Sequence, residues 1–322
     1  MNFIKSSTKN LLPVDFIVIA FCFFLSLLNL IYIQKVAFWY VHLMVNVMIV
    51  LFILFTVTKE KETKKFIWRQ FHFWYLVPLI FIFYKELYGM IAPIRGIIYD
   101  DVLILIDRYI FRFDPTVELY KIANPFLTEL LQISYGTYFF LPILLGLDFI
   151  RQKKSEDFNN MTFLIVYGFA LSFIGYILVP AIGPRFTLHN FEMNNVEMPG
   201  LFITNLLREI VNSGESIPHG TINPALIVQR DVFPSGHTQM TLMVMFLSVK
   251  FKSKLKWFFI IDGTLLIFAT VYLRYHYVTD LIGGLFFMAF TLWSGKYIYR
   301  WWMNIVAANS HTSTNHLDKD LS

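Results

Sequence analysis

Long apolar runs separated by short polar stretches dominate this chain. Eight of them stand out, at 14–34, 37–57, 72–93, 126–149, 161–182, 238–252, 257–273 and 280–299. A helix needs about 20 apolar residues to cross the hydrocarbon core of a bilayer, and most of the runs meet that length. The pattern predicts an all-α fold, a polytopic integral-membrane helical bundle with about six to eight transmembrane helices. Lys85 and Glu86 interrupt the third run. The sixth is short, since Thr238 to Phe251 would cover only ~21 Å as a helix. Either Lys250 and Lys252 snorkel to extend it, or its N-terminus starts below the membrane surface and sinks His237 into a recess.

Composition narrows the class. Apolar residues make up 57% of the 322 positions and charged residues 15%, which excludes an ordinary soluble domain. The net charge of +5 does not point to nucleic acid, because the basic residues cluster in short loops between apolar runs. By the positive-inside rule those loops, at 59–69, 151–154 and 250–256, are cytoplasmic, as are both termini. The only cysteine, Cys22, lies in the first run, so no intramolecular disulfide can form. That run lacks a convincing small-residue cleavage site and reads as a retained anchor. Residues 1–93 are expected to be N-terminal membrane helices and 94–303 a membrane core, with 304–322 a disordered cytoplasmic tail. Within the core, 94–125 mixes apolar and charged positions, as short interfacial helices do. Residues 183–236 are rich in Pro and Gly around one short helix near 201–212, the chemistry of a long loop or lid.

Two stretches carry the candidate chemistry. The first is Phe233-Pro234-Ser235-Gly236-His237. The second is Tyr272-Leu273-Arg274-Tyr275-His276-Tyr277-Val278-Thr279-Asp280. With an inside N-terminus, both fall on the extracytoplasmic face, together with Arg185. A helical register would put His276 and Asp280 on one face. An imidazole held by a carboxylate, with a second histidine nearby, can serve nucleophilic attack and general acid–base work. Arg185 and Arg274 can grip a phosphate, and Ser235-Gly236 at a helix start offers backbone N–H groups to an anion. Asp280 also suits a helix N-terminus. Asp231 and His219, in the same loop, read as structural or solvated.

These two motifs, about forty residues apart, resemble those of the phosphatidic acid phosphatase type 2 superfamily, over roughly residues 100–299. The branch they look most like contains the inositol phosphorylceramide synthases and their bacterial relatives. Gly183-Pro184-Arg185 and the region from Tyr135 to Pro142 are similar to that branch as well. The resemblance implies a catalytic core in the C-terminal six-helix part. His276 would form a phosphohistidine, Asp280 would orient it and His237 would protonate the leaving oxygen. Arg185, Arg274, Ser235 and the Gly236 backbone would hold the phosphoryl oxygens. Two features depart from the pattern. The family's lysine motif ending in Arg-Pro is reduced to Pro184-Arg185, and the arginine usual six residues before the nucleophile is Thr270, leaving Arg274 to supply the charge.

The expectation is a metal-independent membrane lipid phosphatase acting on a lipid or polyprenyl phosphate, with no cofactor and the bilayer as its partner. An inositolphosphotransferase-like lipid phosphotransferase with an alcohol acceptor is the alternative, since the first half-reaction is shared. Ser-Gly-His in place of that branch's common Ser-Leu-His tilts toward the phosphatase. A serine protease using Ser235 with His276 leaves Asp280 and both arginines without a task. A transporter would be expected to carry midplane Gly/Pro-broken helices in paired halves, and these are missing.

Overall fold

The computed structural model describes residues 10–317, with side chains through residue 308. The last five residues of the expected tail lie outside the described residues. Among the described residues there is no strand, and the protein is an all-helical membrane protein. The described residues form twelve helices of nine or more residues: α1 (Pro13–Ile31), α2 (Trp39–Thr63), α3 (Phe66–Trp74), α4 (Leu76–Ile94), α5 (Asp100–Phe111), α6 (Pro125–Gly136), α7 (Phe140–Arg151), α8 (Ser155–Leu178), α9 (Thr204–Gly214), α10 (Gly236–Lys250), α11 (Lys256–Tyr272) and α12 (Val278–Leu317). Among the described residues, five spans are long and apolar enough to cross a membrane: α1, α2, α3 with α4, α8, and α12 to Ala308. A sixth arises if α6 and α7, bent by 57°, are counted together.

Two of the expected runs take a different form. The third run is two helices broken at Tyr75, and the fourth is the bent pair α6–α7. The sixth and seventh are α10 and α11, of 15 and 17 residues. At 1.5 Å per residue α10 covers ~22 Å, short of a ~30 Å hydrocarbon core. Finally, the backbone of α12 is helical through Leu317, across much of the segment read as an unstructured tail.

The chain divides into two compact units. The first comprises residues 10–94, 162–170 and 290–317 of the described chain, and the second 95–161 and 171–289. In the first unit, polar side chains inside the apolar helices are paired. Glu86 is buried, and its Oε1 accepts from the Asn29 and Asn46 amides at 2.9 and 3.0 Å. This lets α4 carry a carboxyl in mid-run. Lys85 lies over the rings of Tyr84 and Tyr88 instead. At the start of α1, Asp15 accepts from Leu12 N, the Tyr75 hydroxyl and the His72 ring.

The second unit is built around α11, which packs against α6 and α10. One buried cluster is Leu131, Tyr135, Met198, Ala269, Tyr272, Leu273 and Tyr275. Another joins Leu103 and Ile104 of α5 to Ala181, Val232 and Tyr277. That second cluster brings together the three segments holding Arg185, Ser235 to His237, and His276 to Asp280.

Candidate active site

α5 fixes the site from outside both motifs. Its residues 100, 103, 104 and 107 form one buried stripe, the spacing of a helix face. The middle pair is apolar and the ends are carboxylates that accept main-chain N–H groups. Asp100 accepts from Ile182 N and Gly183 N, and from the Tyr277 hydroxyl. Asp107 accepts from Val278 N and from Thr279 N and Oγ1. It therefore caps α12, whose first N–H groups have no intrahelical partners. Gly183 has φ +95°, and a Cβ there would lie 2.8 Å from the Tyr275 carbonyl. Only glycine allows the chain to turn there and bring Arg185 N onto the Arg274 carbonyl at 3.1 Å.

The two histidine motifs are tied by backbone. Ser235 N donates to the Asp280 carbonyl at 3.0 Å. Ser235 itself is the N-cap of α10, its Oγ accepting from Thr238 N at 3.2 Å. That commits the hydroxyl to capping. Gly236 follows because a Cβ at this position would lie 2.3 Å from the Tyr176 hydroxyl oxygen. The close approach foreseen for an anion is made here by a tyrosine.

His276 sits in the turn between α11 and α12, so its contact with Asp280 is made across a helix start rather than along a helix face. The Nδ1 to Oδ2 distance is 3.3 Å, and Asp280 Oδ2 also accepts from Tyr277 N at 2.8 Å. The other nitrogen of His276, Nε2, lies 3.4 Å from His237 Nδ1. Tyr135 and Tyr138 flank the His237 ring at centroid distances of 4.6 and 4.1 Å, and Tyr135 stacks on Tyr275. Burial pushes the His276 imidazole down to about 4, with Arg185 acting in the same sense. Asp231 and a hydrogen bond to Val232 oppose it. A depressed value keeps the ring neutral, as a nucleophile requires.

The two arginines part company. Both are buried. Arg185 is within electrostatic reach of His276. It pairs with Glu215, donates to the Asn212 side-chain oxygen at 3.0 Å, and lies against Phe186 and Tyr275. Arg274, in the left-handed region at φ 68°, pairs with Glu197 and Asn194 and lies over Tyr120. The structure thus brings His237, His276, Asp280, Ser235, Gly236 and Arg185 together. Arg274 it aims at the 194–197 turn. Among the described residues, no group of three or more His, Cys, Asp or Glu side chains converges as metal ligands would.

The sequence model of the PAP2 superfamily matches residues 102–294, more than half of the chain. The chain belongs to the PAP2 superfamily. The matched span holds every site residue described above except Asp100. No curated protein and no solved structure matches the chain. For a PAP2 protein, a phosphatase-type activity is the coarse expectation.

Sequence reasoning missed Asp100 and Asp107, whose signal was the buried stripe they share with Leu103 and Ile104. It also missed Glu215 and Glu197, because the loop offers no local reason for a carboxylate to seek an arginine. Asp231, read as structural or solvated, acts electrostatically on His276.

Proposed function

We propose that this PAP2 protein is a metal-independent membrane phosphatase for a lipid or polyprenyl phosphate, working through a phosphohistidine on His276. The observation that carries the reading is the chain Asp280–His276–His237, with contacts of 3.3 and 3.4 Å. With Asp280 accepting from Nδ1–H, Nε2 of His276 holds the lone pair and His237 Nδ1–H faces it. Nε2 attacks phosphorus, and the bond from phosphorus to the lipid oxygen breaks. His237 gives its proton to that oxygen, and the alcohol leaves. His237 then takes a proton from water, which attacks the phosphohistidine and releases phosphate. Asp280 steadies the positive imidazole ring during attack, as the carboxylate of a catalytic triad does. Arg185 neutralises phosphoryl charge once phosphate displaces the Glu215 carboxylate. Both termini are placed in the cytoplasm and the site on the extracytoplasmic side, on the strength of the basic loops.

A phosphotransferase is the second reading, favoured by the resemblance of residues 183–185 and 135–142 to the inositol phosphorylceramide synthase branch. An alcohol then replaces water in the second step. The test is phosphate release from a panel of lipid phosphates by purified protein in EDTA, beside His276→Ala. Release that the variant loses supports the phosphatase. Release abolished by EDTA overturns metal independence. No release, with transfer from a phospholipid donor to an alcohol, supports the transferase.

A further inference from the structure

Helix α9 turns two polar side chains inward and leaves an apolar stripe outward. Thr204 and Arg208, one turn apart, are buried, while Leu206 and Ile210, also one turn apart, are 61% and 59% exposed. At about 100° per residue, three stripes run along it. One is buried and contains Thr204 and Arg208. One is apolar and exposed and contains Leu206 and Ile210, and just before the helix Phe202 is 90% exposed. The third is polar and exposed, with Asn205 and Glu209. Glu209 pairs with His219 at 3.0 Å.

This outward apolar stripe does not come from a loosely attached segment. Glu129 accepts from Leu201 N, Phe202 N, Ile203 N and Thr204 N, and from the Thr204 hydroxyl. Arg208 donates to the Met198 carbonyl at 2.7 Å and to Asn195 Oδ1 at 2.9 Å. The helix is fixed with Thr204 and Arg208 inward. A helix pinned this way in water would leave its apolar stripe unsatisfied. One side apolar and the next polar is the pattern of a helix lying in a bilayer interface. The segment also follows directly on Leu178, the end of a candidate span, and precedes α10. Its other exposed turn, Pro224–Ile227, carries Leu226 at 78% exposure.

We infer that α9 and the turn at 224–227 lie in the headgroup layer of the leaflet on the site's side, with the lipid acyl region covering Phe202, Leu206, Ile210 and Leu226. The C-terminal end of α9 carries Asn212, and Glu215 follows it. These are the two residues that hold Arg185. The helix is therefore a ledge along which a lipid phosphate reaches Arg185 without leaving the bilayer, a consequence that rests on the proposed lipid-phosphate activity.

The seating itself is tested without any turnover. With Cys22→Ala as background, the full chain in vesicles is labelled with an environment-sensitive fluorophore at Leu206→Cys, Ile210→Cys, Asn205→Cys or Glu209→Cys. Nitroxide-bearing lipid should quench the labels at 206 and 210 several-fold more than those at 205 and 209, and aqueous iodide should do the reverse. Equal iodide quenching at all four would overturn the inference. So would protection at 206 and 210 that ignores the nitroxide and rises with protein density, since a second copy would then cover the stripe. The access role is read with Leu206→Glu and Ile210→Glu. Turnover of a long-chain phosphate in vesicles should fall several-fold, with a short-chain soluble phosphate ester unaffected. Equal loss on both overturns lateral access. No turnover by the parent protein on either counts against the proposed activity, and the seating then stands or falls by the quenching result.

Discussion

His72 in the first unit and His276 in the second are both buried beside a carboxylate, yet their second ring nitrogens meet different groups. His72 has carboxylates on both sides, Asp15 at 3.0 Å from Nε2 and Glu60 at 2.6 Å from Nδ1. Neither nitrogen can offer a lone pair to a substrate. His276 has a carboxylate on one side only, and its other nitrogen faces His237 at 3.4 Å. A buried histidine–carboxylate pair is therefore not by itself a mark of chemistry. What distinguishes the site is the nitrogen left for a proton-transfer partner, with a buried arginine in electrostatic reach. The first pair ties α1 to α3, and the second presents a reactive atom.

The largest effect that could break this contrast comes from removing each histidine in turn. His276→Ala should lower turnover about 10⁵-fold or more, the scale of losing a nucleophile. His72→Ala should leave turnover per folded molecule unchanged and lower the thermal midpoint. A folded His72→Ala protein without activity would erase the distinction. Next comes His237→Ala, expected to cost about 10²–10⁴-fold, the usual worth of a general acid. The loss should shrink for an aryl phosphate whose leaving group needs no proton. A loss independent of the leaving group would deny His237 that role.

A smaller effect sharpens the geometry. In Gly236→Ala the new Cβ meets the Tyr176 hydroxyl, and overpacking of this kind costs about 1–3 kcal/mol. Turnover should fall and return in part when Tyr176→Phe is added. No recovery in the double variant would place the cause elsewhere. Tyr75→Phe removes the 2.7 Å hydrogen bond to Asp15. It should cost about 1 kcal/mol of stability, read by thermal unfolding, with turnover intact.

The least change is expected from acidification. Neutral His276 is the attacking form, and its depressed value of about 4 keeps it neutral while pH falls through the range where a free imidazole titrates. The acid limb of kcat/KM should therefore appear near pH 4. A limb near 6.5, the value of an unperturbed histidine, would mean that burial does not hold the ring neutral.

What could be read from the residues follows from how local the causes are. The apolar runs of α1, α2, α8 and α12 announce themselves because each spans a bilayer by its own composition. Glu86 looks like an interruption because its partners, Asn29 and Asn46, are 57 and 40 residues away. The partner of Tyr75, between α3 and α4, is likewise distant: Asp15, 60 residues earlier. In the site, Ser235 to His237 and His276 to Asp280 are legible as short motifs. The carboxylates that position them or occupy the arginines are not. Asp107 reaches Thr279 across 172 residues, and Glu197 reaches Arg274 across 77. Pairings over such separations leave no periodic trace, apart from the buried stripe of α5.

One feature of the tethering bears on how such a protein changes over time. Ser235 N to the Asp280 carbonyl, Asp100 to Ile182 N and Gly183 N, and Asp107 to Val278 N are all bonds to main chain. Main chain is common to all residues, so these tethers do not depend on which side chains stand at 182 and 278. Variation in the 183–236 segment can then reshape what the protein accepts, and the reacting atoms keep their spacing as it does so.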